Sequence, residues 1–158
     1  TRLLGRHAKL YLMNTKLRKP HRHCRGIMPQ FADKILSGEK TTTIRPDAKN
    51  MREGDLISFW VGWRKKDPIY ICTAEIISIS RICIIEKAIC EPEFISTIRN
   101  EAWHNNQYAV KDGFASFEDM ISFFKANYPP KKNELWKFNG KLITFGNIRV
   151  ESERYLKK

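Results

Sequence analysis

The sequence has no long hydrophobic run, no acidic residue in its first 30 positions and no closely spaced cysteine pair. A membrane-spanning helix is not expected, because no stretch of about 18 uncharged apolar residues occurs. The four cysteines form no Cys-x-x-Cys pair and follow no secretory hydrophobic segment. That pattern favours free, mostly buried thiols in a reducing compartment. We therefore expect a cytoplasmic protein with no membrane partner.

The sequence also lacks the motifs that are typical of cofactor binding or of a serine nucleophile. The chain contains no glycine-rich phosphate loop and no Gly-x-Ser-x-Gly turn. His21 and His23 stand beside Cys24, but no second ligand pair follows at a spacing that zinc uses. We expect neither a metal nor a cofactor.

Basic residues are concentrated at the start of a chain whose net charge is +12. Residues 1–30 hold eight of the 29 basic residues, while all 17 acidic residues lie later in the sequence. We predict a basic N-terminal extension over residues 1–22 and a folded domain over residues 23–158. Such an asymmetry indicates a polyanionic partner, most simply nucleic acid. A solvated tail without a partner is the alternative.

Strand-like segments dominate the remainder, which is the size of one domain and 42% hydrophobic. Apolar spacing predicts a short helix over Pro29–Ser37 and a second helix that begins after Ser116, with Asp119 in a capping-box position. Asn139-Gly140 predicts the turn of a final hairpin. β-branched and aromatic runs predict strands over Thr41–Ile44, Leu56–Trp63 and Ile69–Ile85. This order predicts an α+β domain built around a small mixed β-barrel.

The most informative segment runs from Gly38 to Arg45. A helix that ends at Gly38 would be followed by a turn carrying Lys40 and then by a strand. Period-two alternation puts Thr41, Thr43 and Arg45 on one face of that strand. An ammonium, hydroxyls and a guanidinium on one small surface suit the binding of a phosphate or a polarised carbonyl. An amphipathic strand with a solvated polar face is the other interpretation.

This segment resembles the motif of the ASCH family, Gly-x-Lys-x-x-Glu-x-Arg, with Thr43 in place of the glutamate. Further similarity lies at Pro29-x-Phe31, at Arg52-Glu-Gly-Asp55, at Asp112-Gly-Phe114-x-Ser116 and at Tyr128-Pro129. The resemblance covers roughly residues 24–150. It implies a PUA-like mixed β-barrel with short flanking helices, a fold similar to that of RNA-binding domains.

With Thr41 and Thr43, the motif resembles that of one branch of the family, Gly-x-Lys-Thr-x-Thr-x-Arg. Members of that branch hydrolyse N4-acetylcytidine. The resemblance implies catalytic roles for Lys40 and Thr43, with Asp112 at the place of that branch's glutamate and one methylene shorter. Amide hydrolysis needs a nucleophile, a base and an acid. Thr43 would supply the hydroxyl, Lys40 would accept its proton, and Asp112 would pass a proton to the leaving nitrogen.

Ligand binding is assigned to Thr41 and Arg45, with Trp60 or Trp63 stacking on the base. The resemblance thus implies that RNA or a modified cytidine-type nucleoside is the partner. Two alternatives stay open, a non-catalytic RNA-binding module and a single-strand ribonuclease. The basic extension favours these alternatives, because a hydrolase of free nucleosides has no evident need for so many cations.

Overall fold

A mixed sheet and three short helices make up the described chain. The structure is a computed structural model that describes residues 19–86, 88–90 and 102–152. Most of the predicted basic extension lies outside these ranges. The strands are β1 (Arg22–Ile27), β2 (Thr42–Arg45), β3 (Leu56–Val61), β4 (Ile69–Ile85), β5 (Ala88–Cys90) and β6 (Lys137–Arg149). The helices are α1 (Pro29–Ser37), α2 (Ala102–Lys111) and α3 (Phe117–Asn127).

The strands follow the spatial order β1-β3-β4-β6-β2, with β5 paired to the far end of β4. β1 runs parallel to β3, and the other neighbours are antiparallel. β4 has 17 residues and pairs with β3, β5 and β6, so it is the central strand of the sheet. Shifts in the β4–β6 register lie between Thr73 and Glu75 and between Ile76 and Ser78, where bulges bend the strand.

The two edge strands, β1 and β2, curl toward each other. Helix α1 alone joins them in sequence, although three strands separate them in the sheet. Arg45, at the end of β2, donates from Nη2 to the carbonyl oxygen of Gly26 in β1 at 2.9 Å. The sheet is therefore barrel-like, but within the described residues β1 and β2 are not joined by a backbone ladder. A side chain bridges the remaining gap.

Two hydrophobic clusters fill the structure. One cluster lies between α1 and the concave sheet, around Ile35, Phe59 and Phe145. The other packs α2 and α3 on the opposite end of β4 and β6, around Met120 and Phe124. The gap between β1 and β2 lies where the two clusters meet, since its walls draw on residues of both.

Local sequence signals account for both well-predicted helices. α1 begins at Pro29, whose fixed φ suits the first helical position, and Gly38 ends it with φ +82°. α3 begins after Ser116, whose side-chain oxygen accepts from the Asp119 backbone N–H at 3.2 Å. The predicted bounds of α1 and the predicted cap of α3 are confirmed.

Two histidines at the start of the described chain, His21 and His23, have a structural role. His23 is buried, and its Nε2 lies 3.0 Å from Oδ2 of Asp55. The other oxygen of Asp55 accepts from the backbone N–H of His21 at 3.1 Å. These contacts fasten the start of β1 to the start of β3. β1 itself begins at Arg22, the last residue of the predicted extension.

The predicted C-terminal hairpin is wrong, because Asn139 and Gly140 lie inside the single strand β6. They pair with Cys83 and Ile82 of β4, whose length leaves no place for a turn. Gly140 is needed for space: a Cβ there would lie 2.6 Å from the Phe138 ring and 2.7 Å from the Arg45 carbonyl oxygen. The glycine allows β2 to approach β6, which the dipeptide signal alone does not reveal.

Strands and short helices around a curled mixed sheet confirm the predicted α+β class. Cys72 and Cys83 are buried, as expected, and burial raises the pKa of the Cys72 thiol to about 11. Among the described helices, none is long and apolar enough to cross a membrane.

Replacing Gly140 with alanine should destabilise the fold. The added methyl group meets a backbone oxygen that cannot move without displacing β2, so we expect a loss of roughly 1–3 kcal/mol in unfolding free energy. Gly146→Ala, in the same strand, is the matched control, because its nearest contact would be an ordinary 3.6 Å to Ile77. Urea denaturation of both variants measures the effect. Equal stability of the two variants would contradict the steric explanation.

Candidate active site

Lys40 is carried into the interior by the end of helix α1. Gly38 adopts the left-handed conformation that turns the chain, and the Lys40 backbone N–H then donates to the Lys34 carbonyl at 2.9 Å. The next residue, Thr41, donates its N–H to the carbonyl of Lys111 at the end of α2. The helix end, the turn and the strand that follows are thereby fixed between α2 and the sheet.

The Lys40 side chain is 2% exposed and is surrounded by oxygen atoms. Its Nζ donates to the carbonyl of Thr42 at 2.7 Å and to the carbonyl of Asp112. It also lies 3.3 Å from Oδ1 of Asp112 and 4.7 Å from the centre of the Phe31 ring. Three oxygens and one aromatic face compensate for the loss of water around the amine.

Asp112 is placed by the end of helix α2. Its N–H donates to the Tyr108 carbonyl, and the chain turns at Gly113, where φ is +96°. A Cβ on Gly113 would lie 2.9 Å from the Phe31 ring and 3.0 Å from Lys40 Cδ. Only glycine allows this turn to lie directly on Lys40.

Burial shifts the pKa values of the pair toward each other. Burial raises the pKa of the Asp112 carboxyl to about 6, although Lys40 opposes the rise. Burial lowers the pKa of the Lys40 ammonium, although Asp112 opposes the fall. Low polarity around both groups therefore reduces the free-energy difference between the charged pair and a neutral pair with the proton on Asp112.

Two neighbouring threonines of β2 face different surroundings. Thr42 donates from its hydroxyl to Oδ1 of Asp112 at 3.3 Å, a contact that the sequence analysis did not anticipate. Thr43 lines the cavity described below, and no hydrogen bond from a described residue engages its hydroxyl. Thr43 thus has an uncommitted hydroxyl beside the Lys40–Asp112 pair.

An open cavity of about 120 Å³ lies between β1, β2 and the helices. Four of the predicted site residues line it: Lys40, Thr43, Arg45 and Asp112. Thr41 does not reach it, because its backbone turns away to pair with Lys111 and Phe145. Arg45 closes one side, and its buried Nε has no hydrogen-bond partner in the structure.

Five aromatic side chains also line the cavity, and sequence reasoning did not predict this role for them. They come from α1, α3 and the segments next to α3: Phe31, Phe114, Phe123, Phe124 and Tyr128. Tyr128 is 40% exposed, so a flat ligand can reach its ring. The Tyr128-Pro129 pair that follows α3 entered the sequence analysis only as part of the family resemblance, without a role for the Tyr128 ring.

Trp60 and Trp63 do not line this cavity among the residues described. Their rings pack on each other with centroids 5.3 Å apart, and Trp60 also packs on Tyr70. The predicted strand Leu56–Trp63 ends at Val61, because Gly62 and Arg64 adopt positive φ and turn the chain. Trp63 lies next to Gly26 of β1, where an added Cβ would be 3.2 Å from the Trp63 Cβ. A stacking role for either tryptophan stays a prediction.

The raised pKa of Asp112 predicts a pH dependence of stability. The folded state binds a proton more readily than the unfolded chain, whose carboxyl titrates near 3.8. The stabilisation from protonated Asp112 is complete below that value and is lost as the pH rises through about 6. We expect the advantage of wild type over Asp112→Asn in unfolding free energy to be greater at pH 4 than at pH 7, by up to roughly 3 kcal/mol.

Denaturant unfolding at both pH values measures this difference. Asp33→Asn is the control, since it removes an exposed carboxyl from helix α1. A difference that is the same at both pH values, or that favours wild type more at pH 7, would contradict the assignment.

Comparisons with known proteins give distant structural matches. No protein-family model matches the sequence, and no curated protein matches it. The structure is similar to the crystal structure of ASCH from Zymomonas mobilis, with a TM-score of 0.48 and 13% identity over 80% of this chain and 67% of that chain. A tyrosine-to-phenylalanine mutant of that protein gives a TM-score of 0.46 and 12% identity over 80% and 69%. A likeness this distant assigns neither a family nor an activity to the chain.

Proposed function

We propose that the chain is an ASCH domain that binds a cytidine-type base in the cavity and hydrolyses the amide of N4-acetylcytidine. The observation that carries the proposal is the uncommitted Thr43 hydroxyl in a cavity that also holds the buried Lys40–Asp112 pair. These are a nucleophile, a base and an acid, the set that amide hydrolysis requires. The Gly38–Arg45 motif contains Lys40 and Thr43, and the family resemblance implies the role of Asp112.

The size and walls of the cavity suit a single base. Its volume of about 120 Å³ is below the roughly 300–1,000 Å³ of pockets that enclose drug-sized ligands. A heterocyclic ring would be held between aromatic faces such as Phe31 and Tyr128, with the sugar outside. The acetyl group at N4 would point toward Lys40 and Thr43, the polar part of the cavity.

The first half of the reaction starts from the neutral form of the pair. The Thr43 oxygen attacks the acetyl carbonyl carbon, and its proton goes to Lys40 Nζ. Asp112 gives its proton to N4 as the carbon–nitrogen bond breaks, so cytidine leaves with a free amino group. The acetyl group is then esterified to Thr43, and the pair carries its two charges.

Water completes the cycle. A water molecule attacks the ester carbonyl and gives a proton to the Asp112 carboxylate, while Lys40 returns a proton to the Thr43 oxygen. Acetic acid leaves, and the neutral pair is restored. Burial lowers the pKa of Lys40 and raises that of Asp112, and both shifts favour this exchange because they stabilise the neutral pair relative to the charged pair.

Thr43→Val tests the nucleophile. The substitution keeps the shape of the side chain and removes a hydroxyl that forms no hydrogen bond with a described residue, so the fold should be retained. We expect the release of cytidine from N4-acetylcytidine to fall by at least about 10³-fold, the scale on which loss of a nucleophile acts. Liquid chromatography of the reaction mixture measures the release.

Thr144→Val is the matched control, since Thr144 lies opposite Thr42 on β6 and does not line the cavity. It should turn over substrate at the wild-type rate. Absence of turnover in the wild-type protein, or full activity of Thr43→Val, would overturn the proposal.

Non-catalytic RNA binding is the second candidate, and the basic extension favours it. Residues 1–18 contain five basic side chains and no acidic one: Arg2, Arg6, Lys9, Lys16 and Arg18. If each contacts one phosphate, removal of residues 1–18 should reduce the slope of log affinity against log salt by up to about 4 for single-stranded RNA. Fluorescence anisotropy with a labelled oligonucleotide measures the slope. An unchanged slope would exclude a phosphate-binding role of the extension.

A further inference from the structure

Three arginines lie close to Gly26, a residue that lines the cavity. Arg45 donates from Nη2 to the carbonyl of Gly26, and Arg25 precedes Gly26 in β1. Arg64 follows Trp63, whose Cβ would lie 3.2 Å from a Cβ on Gly26. Arg25 donates from Nη1 to the carbonyl of Cys24 at 2.8 Å. Arg64 stands in the turn after β3, the strand that pairs with β1. Within the described ranges, none of the three forms an ion pair, and the acceptors of Arg25 and Arg45 are neutral carbonyls.

The positive charges of these residues act on one another. Burial and then Arg25 lower the pKa of Arg45, whereas Asp112 opposes the fall. Burial lowers the pKa of Arg25, and Arg64 adds to the decrease, whereas Asp47 acts against it. Repulsion of this kind costs folding free energy, and an anion placed among the three groups would relieve it.

Other arginines of the fold are arranged differently. Arg22 holds Glu151 with both terminal nitrogens, and Arg149 bonds to the same carboxylate. The sequence thus supplies carboxylates where a guanidinium serves the fold. Asp112 lines the same cavity as Arg45, but among the described residues no carboxylate bonds to Arg25, Arg45 or Arg64, and the Nε of Arg45 is buried without an acceptor. A buried donor without an acceptor lowers the stability of the fold. Such a donor is typical of a group that binds a ligand.

We propose that Arg25, Arg45 and Arg64 form a phosphate-binding site beside Gly26, so that the ligand is a cytidine nucleotide rather than a nucleoside. The identity of the base rests on the proposed function, but the phosphate site does not. A base held in the cavity places its sugar at the opening, and a phosphate on that sugar reaches the arginines. Guanidinium groups bind phosphate oxygens through paired, charge-assisted hydrogen bonds.

The shared chemistry is a phosphate group next to a cytosine, and two sources carry it. One source is a free nucleotide, and the other is a single strand of RNA. Isothermal titration calorimetry with cytidine, its 5′- and 3′-monophosphates, a cytidine trinucleotide and inorganic phosphate separates them. A monophosphate that binds as tightly as the trinucleotide indicates a free nucleotide, whereas a tighter trinucleotide indicates RNA.

In either case, we expect at least one phosphorylated ligand to bind roughly 10-fold more tightly than cytidine at low salt, since charge-assisted hydrogen bonds are stronger than neutral ones. Arg25→Gln and Arg64→Gln should each remove most of that gain and leave the affinity for cytidine unchanged. Arg64 is exposed, so its substitution tests the site without a risk to the core. Arg52→Gln, which removes an exposed guanidinium from the turn before β3, should keep the gain.

Equal binding of cytidine and all phosphorylated ligands would overturn the phosphate site, as would a gain that survives both arginine substitutions. Failure of every probe to bind, inorganic phosphate included, would overturn it too. N4-acetylcytidine turnover is measured on the same wild-type preparation. Turnover without a phosphate gain rejects only the phosphate site, and a phosphate gain without turnover rejects only the hydrolase.

Discussion

The burial of one ammonium group, that of Lys40, determines the arrangement around the cavity. An uncompensated charge in a protein interior costs several kcal/mol, so the oxygens around Nζ must be supplied by the fold. They come from the β2 backbone and from the end of α2, two elements far apart in sequence. Gly38 and Gly113 provide the two turns that bring these elements together. The contacts that hold Lys40 in the site are therefore the same contacts that hold α2 against the sheet.

The same burial gives the site its chemistry. An exposed lysine and an exposed aspartate would both stay charged near neutral pH, and neither would exchange protons readily. Inside the fold, both pKa values move toward the range in which proton transfer is easy. The Arg22–Glu151 pair shows the contrast, because its partly exposed groups have pKa values that move apart and its contacts serve only to hold β1 to the C-terminal segment. Depth of burial thus distinguishes the pair proposed for proton transfer from a pair that only holds the fold.

Much of the site could be predicted because its residues are close in sequence or follow strong local signals. Gly38, Lys40, Thr43 and Arg45 lie within eight positions, and the cap of α1 determines how they enter β2. The aromatic wall could not be predicted in this way. On α3, Phe123 and Phe124 follow the same apolar periodicity as the core, and only tertiary packing decides which ring faces the cavity. Asn139-Gly140 misled for a related reason, since the partner strand was longer than a hairpin allows.

The length of β4 and β6 has a consequence for how the molecule unfolds. Each of the two hydrophobic clusters uses residues from both strands, so neither cluster can separate from the sheet without breaking pairs that the other one needs. The domain should therefore lose its structure as a single cooperative unit. A substitution that destabilises the helical end should therefore also destabilise the pairing of β1. A ligand that bridges the two edges of the sheet should slow amide hydrogen exchange along the whole length of β4 and β6.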